Sequence, residues 1–457
     1  MASEVFYMND RANTLQESIK FKAVKVFRDA GLGELFSPGD WVGIKIHFGE
    51  YGCSMSLRPQ YVRSIADEIK RLGGKPVVVD CTTIVFNEFT SRATAADMLR
   101  TATRHGLTEE TLGCPIWVCD GEYGENQVKV DVPHGVFLKH SFMGKKLLDL
   151  DAMIVLTHFK GHPVGVFGGA LKNVGIGCGS KQGKLLTHCL NHPTYGVRAW
   201  TVNQQAAAGA TQAPHPNLID RLAANCPFDA LTVEGDTLTK DNDKCMQCAA
   251  CFGPGLFSGV LVPPPELMLM FAATIPDAFS AYVHAIGKDK VGYVSYGIDL
   301  SPWCDCVNFS DRPLVPNLGV FASRDPVAID MACLQMAESL SAMPGSKADD
   351  FGFGEPDTER FTNCSGMAQV SQWVQINSAI YNGLGTSEYE LVTSEPAEES
   401  DFWFKPYTPA NPWGKVNREA MHGLDWTLEL PYSYDNLRMS FVEMSLRPKG
   451  MVAERDL

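Results

Sequence analysis

Two hydrophobic periods alternate along the first third of the chain. The run DWVGIKIHF from Asp40 is almost continuously apolar and reads as a buried strand. Over residues 59–72 the apolar positions Val62, Ile65, Ala66, Ile69 and Leu72 fall three or four apart, which predicts an amphipathic helix opened by Pro59 and closed by Gly73. PVVVD, a helical stretch ending at His105 before Gly106, IWVCD and AMIVLTH to His158 follow in turn. Short apolar strands alternating with helices predict a parallel α/β sheet, with polar residues at the strand ends (Lys45, His47, Asp80, Asp120 and His158) where such sheets collect ligands. Past Lys288 a second set appears: VGYVSYGIDL and GVFAS as strands, then a helix over 325–340 with Asp325 and Pro326 as cap and first turn. The pattern therefore predicts an α/β fold of two lobes with parallel or mixed sheets. Its segments are an N-terminal lobe over 1–194, a loop-rich cysteine-bearing segment over 195–287, a second lobe over 288–391 and a C-terminal extension over 392–457. The extension's FWFKPYTPANPWG is expected to pack its aromatics back onto the body. The most apolar window, ELMLMFAATI from Glu266, is expected to stop at Pro276 and Asp277, short of the roughly 18 residues a membrane span needs.

Composition adds exclusions. With 53 acidic against 39 basic residues, a net charge of −14, the chain lacks the basic field that holds nucleic-acid phosphates or anionic membranes. Its opening, MASEVFYMND, has neither the basic nor the apolar region of a signal peptide, which predicts a cytoplasmic location. The 14 cysteines are then expected as thiols or metal ligands and not as a disulfide framework.

Cys245, Cys248 and Cys251 stand in C-x2-C-x2-C, the spacing that turns three thiolates toward three irons of a cubane cluster. No cysteine follows closely enough to be the fourth ligand. Upstream, Cys226 precedes Pro227 in CPFDAL, with eighteen residues between it and Cys245, similar to the crossed Cys-Pro ligand of a bacterial ferredoxin. The four predict one 4Fe-4S cluster in a ferredoxin-like insertion. Zinc, which favours paired C-x2-C knuckles, has less use for a third cysteine at the same interval. A second pair, Cys304 and Cys306 in SPWCDCVNFSD, would face one side of a strand, as a metal site, a replacement cluster ligand or a redox-active thiol pair.

Histidines and lysines concentrate elsewhere. THFKGHPVGVFGGALKNVGIGCGSKQGKLLTHCLNHP carries His158, Lys160, His162, Lys172, Asn173, Lys181, Lys184, His188 and His192, interleaved with glycines that include Gly168 and Gly169. Glycines let backbone approach a ligand, lysines supply charge, and histidine is the natural acid–base at neutral pH. Together with Lys45 and His47 the cluster predicts an active site. Gly168, Gly169 and Asn173 are the expected cofactor-binding positions, and whether a flavin or a second metal sits in the glycine loop is left open.

IKIHFGEYG, LRPQYV, GGKPVVVD, HFKGH, FGGALKNVGIGCGSKQGK, DCVNFSDRP and FASRDPVAID together resemble the domain of unknown function 362 family of iron-sulfur proteins, over roughly residues 15–345. The resemblance implies an iron-sulfur, ferredoxin-like protein of the kind found in anaerobes and archaea, many of which carry two cysteine sets where this chain has one. More distantly, the order of histidine, GG-x2-K (Gly168, Gly169, Lys172) and later Asn-His is similar to the nickel-pincer lactate racemase family, whose motif is GG-x-K. That likeness implies a substrate cleft between two α/β lobes.

The function expected from these readings is an oxygen-sensitive oxidoreductase. One 4Fe-4S cluster passes electrons to a small anionic substrate, taking them from a donor such as a ferredoxin. His158, His162, His188 and His47 supply protons, and Lys45 and Lys172 hold the anion. The alternatives are a metal- or cluster-assisted isomerase or lyase related to lactate racemase, and a non-enzymatic electron carrier. The oligomeric state is left open.

Overall fold

The structure, a computed structural model, describes residues 2–84, 90–210, 217–354, 358–365 and 370–398, with a few isolated positions besides. Residues 1–401 form one compact unit and 402–457 a second. Most of the expected extension, including its aromatic stretch, lies outside the described residues.

Eight strands make the main sheet: β1 (Ser3–Met8), β2 (Trp41–Lys45), β3 (Lys75–Asp80), β4 (Ile116–Val118), β5 (Ala152–His158), β6 (Val291–Gly297), β7 (Gly319–Ser323) and β8 (Tyr389–Thr393). Their spatial order is β8-β1-β7-β6-β5-β2-β3-β4. All run parallel except β7, which is antiparallel to both β1 and β6. The α/β class with a mixed sheet is thus as expected. The strand sets read as two lobes differ from expectation, because β6 pairs in register with β5, Val294 opposite Leu156 and Tyr296 opposite His158. Both strands are buried along their whole length, so each needs a neighbour for its ladder, and pairing them satisfies both.

Alternation along β5 sorts the core. Ala152, Ile154 and Leu156 face one layer with α1 (Ile19–Asp29) and α2 (Pro59–Arg71), while Met153 and Val155 face a second layer. That second layer holds α3 (Ala170–Gly175), α4 (Pro265–Ile286) and α5 (Pro326–Glu338). Residues from all three expected segments within 1–391 share it.

Helix α4 corrects the expected stop at Pro276. It runs 22 residues straight through the proline, and among the described residues it is the one helix long and apolar enough to cross a membrane. Its most apolar window is 83% buried inside the protein, which makes it a core helix here. One residue on from the carbonyl that Pro276 leaves unpaired, Ser378 Oγ donates to Ala273 O at 2.6 Å. Asp277 is fully buried and accepts from the Val136, Phe137 and Leu138 amides at 2.8, 2.8 and 2.9 Å.

Candidate functional site

The chain crosses over between β2 and β5: β3 and β4 extend the sheet on one side of β2, β5 on the other. Ligands gather beyond the carboxyl ends of strands at such a switch point. Asn173 on α3 spans the gap, accepting from Lys45 Nζ at 2.9 Å and donating to Leu156 O at 3.1 Å and Thr157 Oγ1 at 3.0 Å. Above it opens a cavity of about 720 Å³ lined by His47, His158, His162, Gly168, Gly169, Lys172, Asn173 and His188. Most of the sequence-predicted site residues therefore meet in one place.

Lys45 does not line it. Fully buried, it pairs with Asp80 at 3.0 Å and donates to Ile46 O at 2.8 Å, so it braces the switch point and is not free to hold a substrate. The glycines also serve differently from a phosphate cradle. A Cβ on Gly169 would sit 2.3 Å from Asp330 Oδ1, and one on Gly168 would meet Lys160. Asp330 accepts from the Ala170 and Leu171 amides at 2.7 and 2.9 Å and so occupies the N-terminus of α3 where an anion would have bound.

Asp305 is the hub that the sequence pattern does not reveal. Its carboxylate meets His158 Nδ1 at 2.8 Å and Lys160 Nζ at 3.3 Å, all three groups buried. Burial would raise this carboxyl, but His158 and Lys160 outweigh it and hold it well below the usual range. His158 Nε2 faces the Ile298 carbonyl at 2.8 Å, so both ring nitrogens are engaged and the expected acid–base is instead a positioning partner of Asp305. Arg92 and Glu50 form an ion pair at 3.1 Å on the cavity wall; Glu50 lies within IKIHFGEYG but is not among the residues that the sequence pattern singles out, and no motif surrounds Arg92.

Of the other three histidines, His162 and His188 are buried and His47 is half-buried, and all three are neutral. Burial, then Lys172, pushes His162 well below its ordinary value, and burial, then Arg92, does so for His47. Burial takes His188 down to about 3. Their tautomers follow from the partners. His162 Nδ1 accepts from the Gly165 amide at 2.7 Å and His47 Nδ1 from the Gly49 amide at 2.9 Å, leaving each Nε2 with the proton. His188 is reversed: Nδ1 donates to Lys184 O at 2.7 Å, which leaves Nε2 as an acceptor while the ring stacks on Phe271 at 4.2 Å.

Cys304 and Cys306 lie in a turn closed by Val307 N–H to Cys304 O at 3.0 Å, not in the expected strand. The turn still brings the sulfurs to one side. Together with His162 their ligand atoms lie within 4.8 Å of one another, although the proton on His162 Nε2 faces Cys306 Sγ at 3.6 Å where a metal would need a lone pair.

The four cysteines expected to hold a cluster lie in a separate segment beside the cavity. Between Cys226 and Cys245 an antiparallel hairpin, Leu231–Glu234 with Thr237–Lys240, turns at Gly235 and folds the chain back on itself. Gln247 and Ala249 take left-handed φ of 55° and 67°, curling the loop between the remaining thiols. Burial, then Cys245, Cys248 and Cys226, pushes the Cys251 thiol to about 12, so each sulfur feels the others. The Ala230 amide donates to Cys226 Sγ at 3.3 Å. Four cysteine sulfurs in one segment, with an N–H aimed at one of them, are a donor set of the kind that ligates an iron-sulfur cluster. Phe252, next to Cys251, lines the cavity with Pro254 and Phe257 and packs edge-on against His188 at 5.4 Å.

Comparison with known proteins gives three results. The model of the family described as Domain of unknown function (DUF362) matches residues 42–335. No curated protein matches. Among solved structures, the lactate racemase apoprotein from Thermoanaerobacterium thermosaccharolyticum is similar at 12% identity and a TM-score of 0.34, over 70% of this chain and 57% of that one.

Proposed function

The chain belongs to the DUF362 family, and from that premise we propose that it is an iron-sulfur oxidoreductase acting on a small anionic substrate. One observation carries the reading: a single cavity is walled on one side by the histidine, lysine and cysteine cluster and on the other by the stretch that begins at Phe252, directly after Cys251. A 4Fe-4S cluster on Cys226, Cys245, Cys248 and Cys251 would supply single electrons. Exposed Cys248 puts one edge of that group at the surface, where a donor such as a ferredoxin can reach it.

The chain's own residues do the rest. Lys172 and Lys184 with the Arg92 guanidinium set a positive wall for an anion. His162 and His47 each present an Nε2 proton near neutral pH, and His188 an Nε2 lone pair. Phe252, Pro254 and Phe257 exclude water from that side, which strengthens every charge interaction within. Of the two lysines expected to hold the anion, Lys172 keeps that role and Lys45 does not.

Anaerobic purification followed by iron and sulfide quantitation and EPR tests the reading. About four irons per chain, reduced reversibly by dithionite, are the expected result. Iron that dithionite does not reduce, or zinc in its place, overturns it.

A further inference from the structure

We propose that Cys304 and Cys306 are a redox-active dithiol at the floor of the cavity, Cys306 meeting a small disulfide substrate and Cys304 closing the bridge behind it. The two sulfurs are within 4.8 Å of one another, in a turn closed by the Val307 amide on Cys304 O. Their settings differ. Cys306 is half-buried and lines the cavity, whereas Cys304 is buried beneath it.

The surroundings separate this pair from the packing cysteines. Burial lifts the thiols of Cys114, Cys178, Cys189 and Cys364 to about 11. Cys304 goes the other way: burial would raise it, but a hydrogen bond from Cys306 and the charges of Lys172 and Lys160 bring it well below the ordinary thiol value. Lys172 Nζ stands 3.7 Å from its sulfur and the Cys306 amide 3.4 Å. Cys306, raised chiefly by its bond to Cys304, keeps its proton. The pair thus holds one proton between two sulfurs, with the Lys172 charge beside the thiolate.

The reaction balances as a thiol–disulfide exchange. Cys306 passes its proton to Cys304 and attacks one sulfur of the substrate disulfide, forming a mixed disulfide and releasing one substrate thiolate. Cys304 returns the proton to that leaving thiolate and attacks Cys306, releasing the second substrate half as a thiolate. The substrate disulfide gains two electrons and the dithiol loses two. Lys172, Lys184 and Arg92 on the cavity wall select a disulfide that carries carboxylates. Only the re-reduction of the pair rests on the oxidoreductase reading, in which Cys226, Cys245, Cys248 and Cys251 would hold a source of single electrons.

Glutathione disulfide is a suitable probe. The full chain is equilibrated anaerobically in a series of glutathione and glutathione disulfide buffers, quenched in acid, alkylated and cleaved after Lys and Arg. Residues 291–324, in which Pro313 blocks cleavage after Arg312, then form one peptide whose only cysteines are Cys304 and Cys306. The expected result is conversion, with a single midpoint, from a doubly alkylated peptide to one lighter by two hydrogens and closed to alkylation. Cys304→Ser should accumulate glutathione on Cys306, and Cys306→Ser should leave Cys304 unmodified. A peptide that stays doubly alkylated through the series overturns the proposal, as does a stoichiometric metal lost together in His162→Ala, Cys304→Ser and Cys306→Ser. Cys248→Ser, altered at an exposed cluster position, separates the two readings. If the peptide still oxidises there while the wild-type iron is not reduced by dithionite, the dithiol stands and the cluster reading falls. Reducible iron with an unoxidised peptide leaves the cluster standing and removes the dithiol.

Discussion

His188 sits in an apolar slot between Phe271 and Phe252, with one nitrogen given to the Lys184 carbonyl. Its folded-state value of about 3 lies below the ordinary 6.5, so between those limits the unfolded chain binds the extra proton. Stability therefore rises with pH through that window and is lost on acidification, by up to about 1.4 kcal/mol per pH unit for this one group. His188→Phe keeps the ring stack and removes that titration. Urea unfolding across a pH series should show a constant offset from wild type near neutrality and a shallower acid slope in the variant; parallel slopes would refute it. At this scale the sequence was partly legible. Histidine and lysine clustering pointed to His47, His162, Lys172 and His188, all on the cavity wall. It did not identify Asp305, because a lone carboxylate between two cysteines gains its meaning only from His158 and Lys160, each more than 140 positions away in sequence.

At the scale of elements, periodicity and caps were reliable where one face is buried. The helix expected over 59–72 is Pro59–Arg71, and the cap expected at Asp325 accepts from the Val327 and Ala328 amides at 2.8 and 3.0 Å. Local rules failed where tertiary partners override them. Proline penalises a helix interior by about 3 kcal/mol, yet α4 continues through Pro276 because its apolar residues are buried on every side. Asp277, the next residue, clamps the loop at 136–138 to that helix and also receives Asn382 Nδ2 at 2.8 Å. Asp277→Ala should destabilise the protein by about 3 kcal/mol, since several donors lose one shared acceptor. Denaturant unfolding measures this, and a change under about 1 kcal/mol would mean that water replaces the carboxylate.

For the whole molecule, the chain folds its two strand sets into one sheet and lays the cysteine segment along the cavity mouth. If iron holds that segment, its anaerobic removal leaves four thiols with no shared ligand in a hairpin-and-loop region with little regular structure. Limited proteolysis should then cut between residues 241 and 253 roughly ten-fold faster than in the iron-loaded protein, with the sheet strands unaffected. Equal cutting in both forms would show that the segment is held without metal.

The sequence by itself determined the α/β class, the parallel strands, the family, and the residue types at the strand ends, since each depends on a local period, a cap or a short motif. Only the tertiary structure decided that β5 and β6 are neighbours, that Lys45 is a brace, that Gly169 makes room for Asp330, and that Cys304 lies beside Lys172. These are pairings between distant positions. Burial and opposing charge fix what each group does there, and neither exists until the chain has closed around it.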